Sequence, residues 1–209
     1  MSKNIKTNTY IDMNTGMNMN TDINTDINTD INTDINTDMN IDMNMDTDVN
    51  QNFDLKSTWV LWFHKVNDNN WNLESYSKIF VIKKYYDIIY ILKKIDNITS
   101  GMFFLMKEGI IPIFEDKNNL NGGYWSLRIA KKDSFEYWEK IIYYLCIESI
   151  VIDNKYEQYI NGFSVSPKIN NCIFKIWTSD YSVMKTEYLK KNLEFINWDE
   201  TFYLQHNGD

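Results

Sequence analysis

The stretch Gly123–Ala130, GYWSLRIA, alternates apolar and polar side chains with a period of two. One face of the segment carries Trp125, Leu127 and Ile129. Such alternation predicts a strand with one buried face. Phe135–Ile150 follows with apolar residues at helical spacing and predicts the longest helix. A half-buried strand next to an amphipathic helix is typical of an antiparallel sheet covered by helices on one side.

Further strands and helices are predicted on both sides of this pair. β-Branched and aromatic content predicts strands at Thr58–Lys65, Ser77–Ile82, Met102–Met106, Gly162–Val165, Cys172–Trp177 and Thr201–Gln205. Helical spacing predicts a helix at Tyr85–Ile95. Ser179–Asp180 is a candidate N-cap for a third helix that runs to about Asn192. The predicted fold class is therefore α+β, an antiparallel sheet with helices inserted between hairpins.

The first 52 residues differ from the rest in composition. Residues 21–38 repeat the unit Thr-Asp-Ile-Asn, and no Trp or Phe precedes Phe53. A four-residue period fits neither strand nor helix, and such a segment cannot bury enough surface to offset its ordering entropy. We predict that residues 1–52 are a disordered low-complexity leader and that residues 53–209 form one domain. The leader is interpreted as a solvated expansion, with an acidic partner-binding tail as the alternative.

The net charge of -8 comes almost entirely from the leader. Residues 1–52 hold two lysines and nine aspartates, which leaves 19 basic and 20 acidic groups in the remainder. A nearly neutral body argues against non-specific duplex binding, which needs a basic face. Residues 1–15 show no apolar stretch typical of a secretory signal, and the longest apolar run, Ile141–Ile147, is too short to span a membrane. A soluble, cytoplasmic protein without membrane contact is expected.

No catalytic or metal-binding pattern is visible. The two histidines, His64 and His206, have no partner at ligand or triad spacing, and neither common phosphate-loop motif occurs. Cys146 and Cys172 stand in apolar surroundings and are expected to be buried free thiols. The sequence thus predicts a protein that is not an enzyme and needs no cofactor.

Two aromatic residues in polar loops indicate a site for a flat ligand. Trp71 follows the loop 67–70, and Phe114 precedes Glu115 and Asp116. Two aromatic planes can sandwich a flat base, and a neighbouring carboxylate can accept hydrogen bonds from two donors on the edge of that base. The alternative for Trp71 is that its ring folds back onto the domain.

The order and spacing of these residues resemble the eukaryotic translation initiation factor 4E family, whose members bind the 7-methylguanosine cap of mRNA. The resemblance runs from about Phe53 to Gln205. The matching stretches are Trp59–Phe63, Trp71, Ile110–Asp116, Gly122–Trp125, Trp138 with Leu145 and Glu148–Ser149, and Ile176–Thr178. The resemblance implies a curved antiparallel sheet with three helices packed on its convex face and the cap slot on the concave side.

The resemblance also implies roles for individual residues. Trp71 and Phe114 would sandwich the guanine, and Glu115 would accept its N1 and N2 protons. Trp177 would contact the N7-methyl group, and Lys168 would be the main cation for the triphosphate. Methylation leaves the guanine cationic, so stacking gains a cation–π contribution and the carboxylate gains charge-assisted hydrogen bonds.

Three departures from the family pattern bear on affinity. Phe114 stands where a second tryptophan is usual, and Ser166 stands where an arginine usually holds the phosphates. The chain ends at Asp209, which predicts a missing or shortened C-terminal loop and last strand. The only arginine, Arg128, is not at a cap position. The smaller ring at Phe114 is expected to cost about 1 kcal/mol of binding free energy.

The resemblance places a second binding surface on the convex side, where a 4G-type scaffold or a 4E-binding repressor lays a short helix. The corresponding residues are Leu55, Tyr85, Ile89 and Tyr143. Ile89 stands where the family has an exposed tryptophan, and Lys140 stands where an acidic residue is usual. The face is still apolar, so helix-in-groove binding is expected to survive with an altered partner preference.

Three functions are compatible with these residues. The first is a monomeric cap-binding factor in translation initiation, with capped mRNA as its ligand. The second is a translational repressor of the same fold, and the third is a protein-interaction module with weakened or lost cap binding. An enzyme acting on capped nucleotides is disfavoured, because it would need clustered carboxylates for metal and only Glu115–Asp116 offers a pair.

Overall fold

The computed structural model describes residues 53–189, 193 and 197–206. The predicted leader, residues 1–52, lies outside the described residues, so the domain boundary stays a prediction. The strands are β1 (Asp54–His64), β2 (Ser77–Lys84), β3 (Met102–Lys107), β4 (Gly123–Ala130), β5 (Ile160–Pro167), β6 (Asn171–Thr178) and β7 (Phe202–Gln205). The α-helices are α1 (Tyr85–Lys94) and α2 (Ser134–Cys146).

The seven strands form one sheet in the order β2-β1-β3-β5-β6-β4-β7. All of the described strand pairs are antiparallel, with β1 beside β2 and β5 beside β6 as hairpins. The first helix connects β2 to β3, and the second connects β4 to β5. The predicted α+β fold, a curved antiparallel sheet with its helices on the convex face, is confirmed. The last strand, which was expected to be missing or shortened, is a four-residue strand that pairs with β4 at the sheet edge.

The main hydrophobic core lies between the sheet and the helices. Because side chains alternate along a strand, β1, β3, β4, β5 and β6 each direct the apolar residues of one face into this core. Its largest fully buried side chains are Trp59, Trp125, Trp138, Phe163 and Phe174. A smaller apolar cluster covers the opposite, concave face, and its buried members are Val60, Trp62, Tyr76, Met102, Phe104, Met106 and Trp177. The sheet therefore buries one face fully and offers a half-covered second face to ligands.

The start of α1 is fixed by a carboxylate. Asp87 accepts hydrogen bonds from the backbone N–H groups of Lys83 and Lys84, at 2.7 and 2.8 Å. A negative side chain in the first turn satisfies free donors and complements the helix dipole. This anchor fixes the N-terminus of α1 against the end of β2.

The second helix ends four residues earlier than its apolar spacing predicts. Glu148 adopts a left-handed conformation with φ of 50°, which a residue with a side chain rarely takes. Its carboxylate, only 8% exposed, forms an ion pair with Lys56 at 2.6 Å and accepts a hydrogen bond from Ser57. Burial opposes ionisation, but the hydrogen bonds from Lys56 and Ser57 outweigh it and hold the pKa of Glu148 below its usual value. The helix therefore stops where the chain turns to pair this carboxylate with β1.

The prediction of a third helix after Ser179–Asp180 is wrong for the residues that the structure describes. Asp180 does cap a turn, because its carboxylate accepts from the Ser182 N–H at 2.8 Å. The chain then forms only a short 3₁₀ turn, Thr186–Tyr188, and Leu189 pairs with Val151 in an isolated bridge. Leu189 is fully buried. Its burial beside Val151 stabilises the extended bridge more than the local apolar spacing stabilises a helix. The remainder of this predicted helix, 190–192, lies outside the described residues.

Both cysteines are buried free thiols, as predicted. Burial raises the pKa of the Cys146 thiol and also that of Cys172, so neither is a ready nucleophile. Within the described part of the chain, none of the helices has the length and apolar character needed to cross a membrane.

Candidate functional site

An open pocket of about 580 Å³ lies on the concave face of the sheet. The five residues predicted to hold a cap all line it, namely Trp71, Phe114, Glu115, Lys168 and Trp177. They come from the β1–β2 loop, the β3–β4 segment, the β5–β6 turn and the end of β6. The fold thus brings together four separate segments at this place, which we call the concave pocket.

Trp71 forms an exposed wall of the concave pocket. One face of its indole stacks on the His64 ring, with centroids 4.6 Å apart and planes inclined by 1°. The side chain is nevertheless 54% exposed. One face of the Trp71 ring therefore packs against the domain, as the alternative prediction proposed. The other face is open to a flat ligand.

Hydrogen bonds within the loop hold Trp71 in place. The buried His64 ring donates from Nε2 to the Asn70 carbonyl at 2.8 Å, because a carbonyl can only accept. The Asn70 N–H donates to the Asp68 carboxylate at 2.8 Å, and the Asn72 N–H donates to the Asn70 side-chain oxygen at 2.9 Å. Such local turns order a polar loop without regular secondary structure.

Phe114 leans against the back of the concave pocket. Its ring centroid lies 4.9 Å from that of Trp177 and 4.9 Å from that of His206, and these two rings are 4.8 Å apart. Trp177 is buried and donates from its indole N–H to the Ser164 hydroxyl at 2.9 Å. The three rings form a closed cluster, so Phe114 occupies the space in front of Trp177 in this conformation.

Glu115 is exposed at the rim of the concave pocket. Burial, with a smaller contribution from the Glu115 charge, raises the pKa of the pocket residue Tyr76 to about 12. The neighbouring carboxylate, Asp116, serves the loop instead, because it accepts from the N–H groups of Asn118 at 2.7 Å and Ile111 at 3.2 Å. Of these two carboxylates, Glu115 is therefore the one that a ligand can reach. The described residues contain no cluster of side chains that could hold a metal ion.

Two buried amides brace the segment that carries Phe114 and Glu115. Asn119 donates to the carbonyls of Ile111 and Ile113, at 2.9 and 2.8 Å. Asn161 donates to the Asn119 side-chain oxygen at 2.9 Å. Neither amide was predicted from the sequence. Asn119 stands in the segment 118–123, NNLNGG, which indicates only a turn, and Asn161 lies on the distant strand β5.

Lys175 is a pocket residue that sequence reasoning also missed. It precedes Trp177 by two residues on β6, so both side chains lie on the concave face. Its Nζ lies 4.0 Å from the Tyr124 ring centroid and 5.3 Å from that of Phe114. Burial and, to a lesser degree, the charge of Lys168 lower the pKa of Lys175. The period of two counted back from Trp177 is the signal that could have found it.

The other predicted cation, Lys168, lines the concave pocket from the β5–β6 turn, and Ser166 lines it from β5. The Lys168 backbone N–H donates to the Asn171 carbonyl at 2.7 Å and closes that turn. Arg128 is exposed on the same face of the sheet, in register with the pocket residue Ile173. Positive charge therefore collects at this end of the concave face.

The predicted partner-binding residues lie together on the convex side. Tyr85, Ile89 and Tyr143 are 36%, 37% and 39% exposed, and the rings of Tyr85 and Tyr143 meet edge to face with centroids 6.3 Å apart. Leu55 is half-buried against the core. Lys140 forms an ion pair with Glu136 at 2.6 Å. The first two helices thus expose a small apolar surface, which we call the convex patch.

Comparison with known proteins agrees with this architecture. The family model described as eukaryotic initiation factor 4E matches residues 54–208. Factor 4E-1A of Danio rerio is 29% identical over 136 residues, 61% of this chain and 61% of the relative. Factor 4E type 1B of Mus musculus is 31% identical over 134 residues, 60% of this chain and 54% of the relative. The chain thus spans just over half the length of these two curated relatives.

Solved structures share the fold. A complex of C. elegans eIF4E-3 with the 4E-binding protein Mextli and a cap analog has a TM-score of 0.57 at 24% identity, over 63% of this chain and 76% of that one. Ascaris suum eIF4E-3 with an m7G cap has a TM-score of 0.55 at 24% identity, over 62% and 74%. Because the family model matches from the first strand of the sheet to the last, the chain belongs to the eukaryotic initiation factor 4E family.

Proposed function

We propose that the protein binds the 7-methylguanosine cap of mRNA in the concave pocket and acts in cytoplasmic translation initiation, without enzymatic activity. The observation that carries this proposal is the convergence of aromatic rings, one accessible carboxylate and two lysines on one pocket. A cap offers a flat cationic base, two N–H donors on the edge of that base and a chain of phosphates. Each chemical group of the pocket has a counterpart in that ligand.

The base is proposed to stack on Trp71. A cationic ring above an indole gains about 0.5–2 kcal/mol of cation–π attraction. The Trp71 ring is already held by His64 and the loop hydrogen bonds, so little ordering entropy is lost when the base binds. Glu115 then accepts two hydrogen bonds from the guanine edge, each strengthened by the opposite charges.

Phe114 is proposed to be the second ring of the stack. Its ring rests against Trp177 and His206, and these two rings support it from behind. A phenyl ring offers the base less stacking area and a weaker quadrupole than the tryptophan usual in the family. The departure from tryptophan is therefore expected to lower the affinity for the base.

Lys168 and Lys175 are proposed to bind the phosphates. Both line the concave pocket, and burial, then the charge of Lys168, lower the pKa of Lys175. A phosphate chain would supply an anion that stabilises the charged ammonium group. Two separate lysines replace the arginine fork usual in the family, so the contact is one of point charges without bidentate geometry.

The substitution Glu115→Ala tests the proposal. It leaves two guanine donors facing a pocket without an acceptor, at about 1–3 kcal/mol for each unmet group. We expect nearly abolished binding of 7-methylguanosine triphosphate in a tryptophan-fluorescence titration, with an unchanged melting temperature. Glu187→Ala removes an exposed carboxylate outside the pocket lining and serves as the matched control. Equal loss in both variants, or loss in neither, would contradict the assignment of Glu115.

A second candidate function rests on the convex patch. Tyr85, Ile89 and Tyr143 expose apolar surface on two adjacent helices, which suits a short amphipathic helix. We propose that a 4G-type scaffold or a 4E-binding protein docks there, and that the identity of this partner decides between initiation and repression. Co-purification of the full chain with a scaffold protein, lost in Tyr143→Asp and kept in Tyr156→Ala, supports docking at the convex patch. A protein-interaction module without cap binding would keep this association, but the unmodified chain would then show no binding of 7-methylguanosine triphosphate in the titration that tests Glu115.

A further inference from the structure

Both histidines of the chain lie behind aromatic residues of the concave pocket. The sequence contains only two, and they are 0% and 8% exposed. His64 stacks against Trp71, and His206 stacks against Phe114 with centroids 4.9 Å apart and planes inclined by 30°. The two rings proposed to hold the base are thus each backed by an imidazole.

We propose that His64 and His206 are positioning residues for cap recognition, each of which holds one aromatic ring where the methylated base stacks. The inference rests on the proposed function of the concave pocket. It assigns neither histidine a contact with the ligand.

His64 acts on Trp71 through two contacts. Its ring covers one face of the indole, and its Nε2–H bond to the Asn70 carbonyl fixes the backbone just before Trp71. Tyr76 packs against His64 at 4.7 Å and so fixes the imidazole in turn. An aromatic ring held in place before binding loses less entropy when a base stacks on it. Removal of the imidazole frees both the indole and the loop.

His206 acts on Phe114 from the end of β7. Its backbone N–H donates to the Gly122 carbonyl at 3.1 Å, and a Cβ at position 122 would lie 1.8 Å from the Thr178 carbonyl oxygen. Glycine at position 122 therefore allows the backbone to approach Thr178, at the end of β6, this closely. The His206 ring contacts Phe114, Trp177 and Tyr124 at centroid distances of 4.9, 4.8 and 5.4 Å, so it forms the surface against which Phe114 rests.

The His206 imidazole is neutral at physiological pH. Burial, then the positive charge of Lys175, lower its pKa to about 4, against a smaller opposing contribution from the Thr178 backbone. The titratable groups that face it are Lys175 from β6 and Tyr124 from β4. A neutral ring can back Phe114 without placing positive charge next to a cationic base.

Discrimination between methylated and unmethylated guanosine triphosphate is the readout that separates positioning from a general structural role. Stacking is the interaction that distinguishes the cationic base, whereas the phosphates bind both nucleotides alike. We expect His64→Ala and His206→Ala to lower the ratio of the two dissociation constants at least about fivefold, with affinity for unmethylated nucleotide changed less than about twofold. His64→Phe and His206→Phe keep a stacking ring and should retain most of the discrimination.

A double-mutant cycle sharpens the test for His64. If His64 acts through Trp71, then His64→Ala should cost less than about twofold in a Trp71→Ala background. Tyr156→Ala removes a ring that stacks on Tyr188 outside the pocket lining and should leave discrimination unchanged. If an alanine variant does not fold, the corresponding leucine variant fills the volume without an aromatic face and takes its place.

Folded alanine or leucine variants with the discrimination of the unmodified chain would overturn the inference. The same holds for additive effects of His64→Ala and Trp71→Ala in the cycle. An unmodified chain that binds both nucleotides equally would instead contradict the proposed function itself, so the two failures are distinguishable.

Discussion

The Phe114 side chain has two tasks that compete with each other. It closes the back of the concave pocket against Trp177 and His206, and it is proposed to stack on the base. A phenyl ring fits the first task because it is small enough to lie between its neighbours. The second task favours a larger ring with a stronger quadrupole.

At the residue scale, Phe114→Trp should therefore tighten cap binding. An indole is too large for the cluster and would stand toward Trp71, where it adds both stacking area and cation–π attraction. A gain of about 1.4 kcal/mol corresponds to about tenfold in affinity, which isothermal titration with 7-methylguanosine triphosphate would measure. Phe114→Leu serves as the control and should weaken binding. If the tryptophan variant binds no better than the unmodified chain, Phe114 does not take part in the stack.

The β5–β6 hairpin is the element that supplies the charge of the concave pocket. Lys168 lies in its turn, Ser166 and Lys175 on its strands, and Trp177 completes the same face. Cross-strand register places Ser164 opposite Lys175, so the lysine rises between small side chains into the pocket. A single hairpin thus presents both the aromatic floor and the cations.

Replacement of Lys175 by methionine should weaken the binding of phosphate-bearing ligands. Methionine keeps the apolar stem against Tyr124 and removes the charge. We expect a loss of about tenfold for 7-methylguanosine triphosphate and little change for the 7-methylguanosine nucleoside, which has no phosphates. The salt dependence of nucleotide binding should fall by about one phosphate contact. Titrations at several salt concentrations would measure this. An equal loss for nucleotide and nucleoside would show that Lys175 supports the aromatic cluster instead.

The first helix carries a prediction for the convex patch. Ile89 is 37% exposed one turn after Tyr85, and a partner helix can bury an apolar side chain there at about 25 cal/mol per Å². Ile89→Trp adds contact area and an indole N–H donor, so it should strengthen binding of a 4G-type helical peptide about tenfold. Fluorescence anisotropy of a labelled peptide measures the change. Tight binding by the unmodified chain that Ile89→Ala leaves intact would place the partner site elsewhere.

Local sequence patterns predicted most of the strands and helices. The predictions failed where contacts between residues far apart in the chain determine the structure. The alternation in Gly123–Ala130 predicts β4 with its observed bounds, because burial of one face leaves a period of two in the sequence. The helix predicted after Asp180 failed because Leu189 pairs with Val151 on a remote segment. The position of His206 depends on the pairing of β7 with β4, which no local pattern reveals. Among the predicted pocket residues, Trp71, Phe114 and Glu115 were indicated by aromatic and acidic side chains in polar loops. The family resemblance alone supplied Lys168 and Trp177, and it brought all five together, since their segments are far apart in the chain.

At the scale of the whole molecule, the described residues form a complete hydrophobic core among themselves. The sheet, both helices and the bridge at Leu189 bury one continuous apolar cluster. The family model likewise begins at residue 54. The concave pocket and the convex patch therefore draw all of their residues from the same part of the chain.

Deletion of residues 1–52 should leave both the thermal midpoint and the cap affinity within measurement error. The Thr-Asp-Ile-Asn repeat holds no aromatic anchor for a core. Differential scanning calorimetry and a cap titration on the full and shortened chains would measure the two quantities. A large drop in either would show that the repeat docks on the domain.

Cap recognition by the concave pocket is tested most directly by one titration. The intrinsic tryptophan fluorescence of the unmodified full chain is followed while 7-methylguanosine triphosphate is added, and the titration is repeated with unmethylated guanosine triphosphate. Because Trp71 and Trp177 line the pocket, we predict quenching by the methylated nucleotide and an affinity at least about tenfold higher than for the unmethylated one. Equal affinity for the two nucleotides, or no change in fluorescence with either, would contradict the proposal.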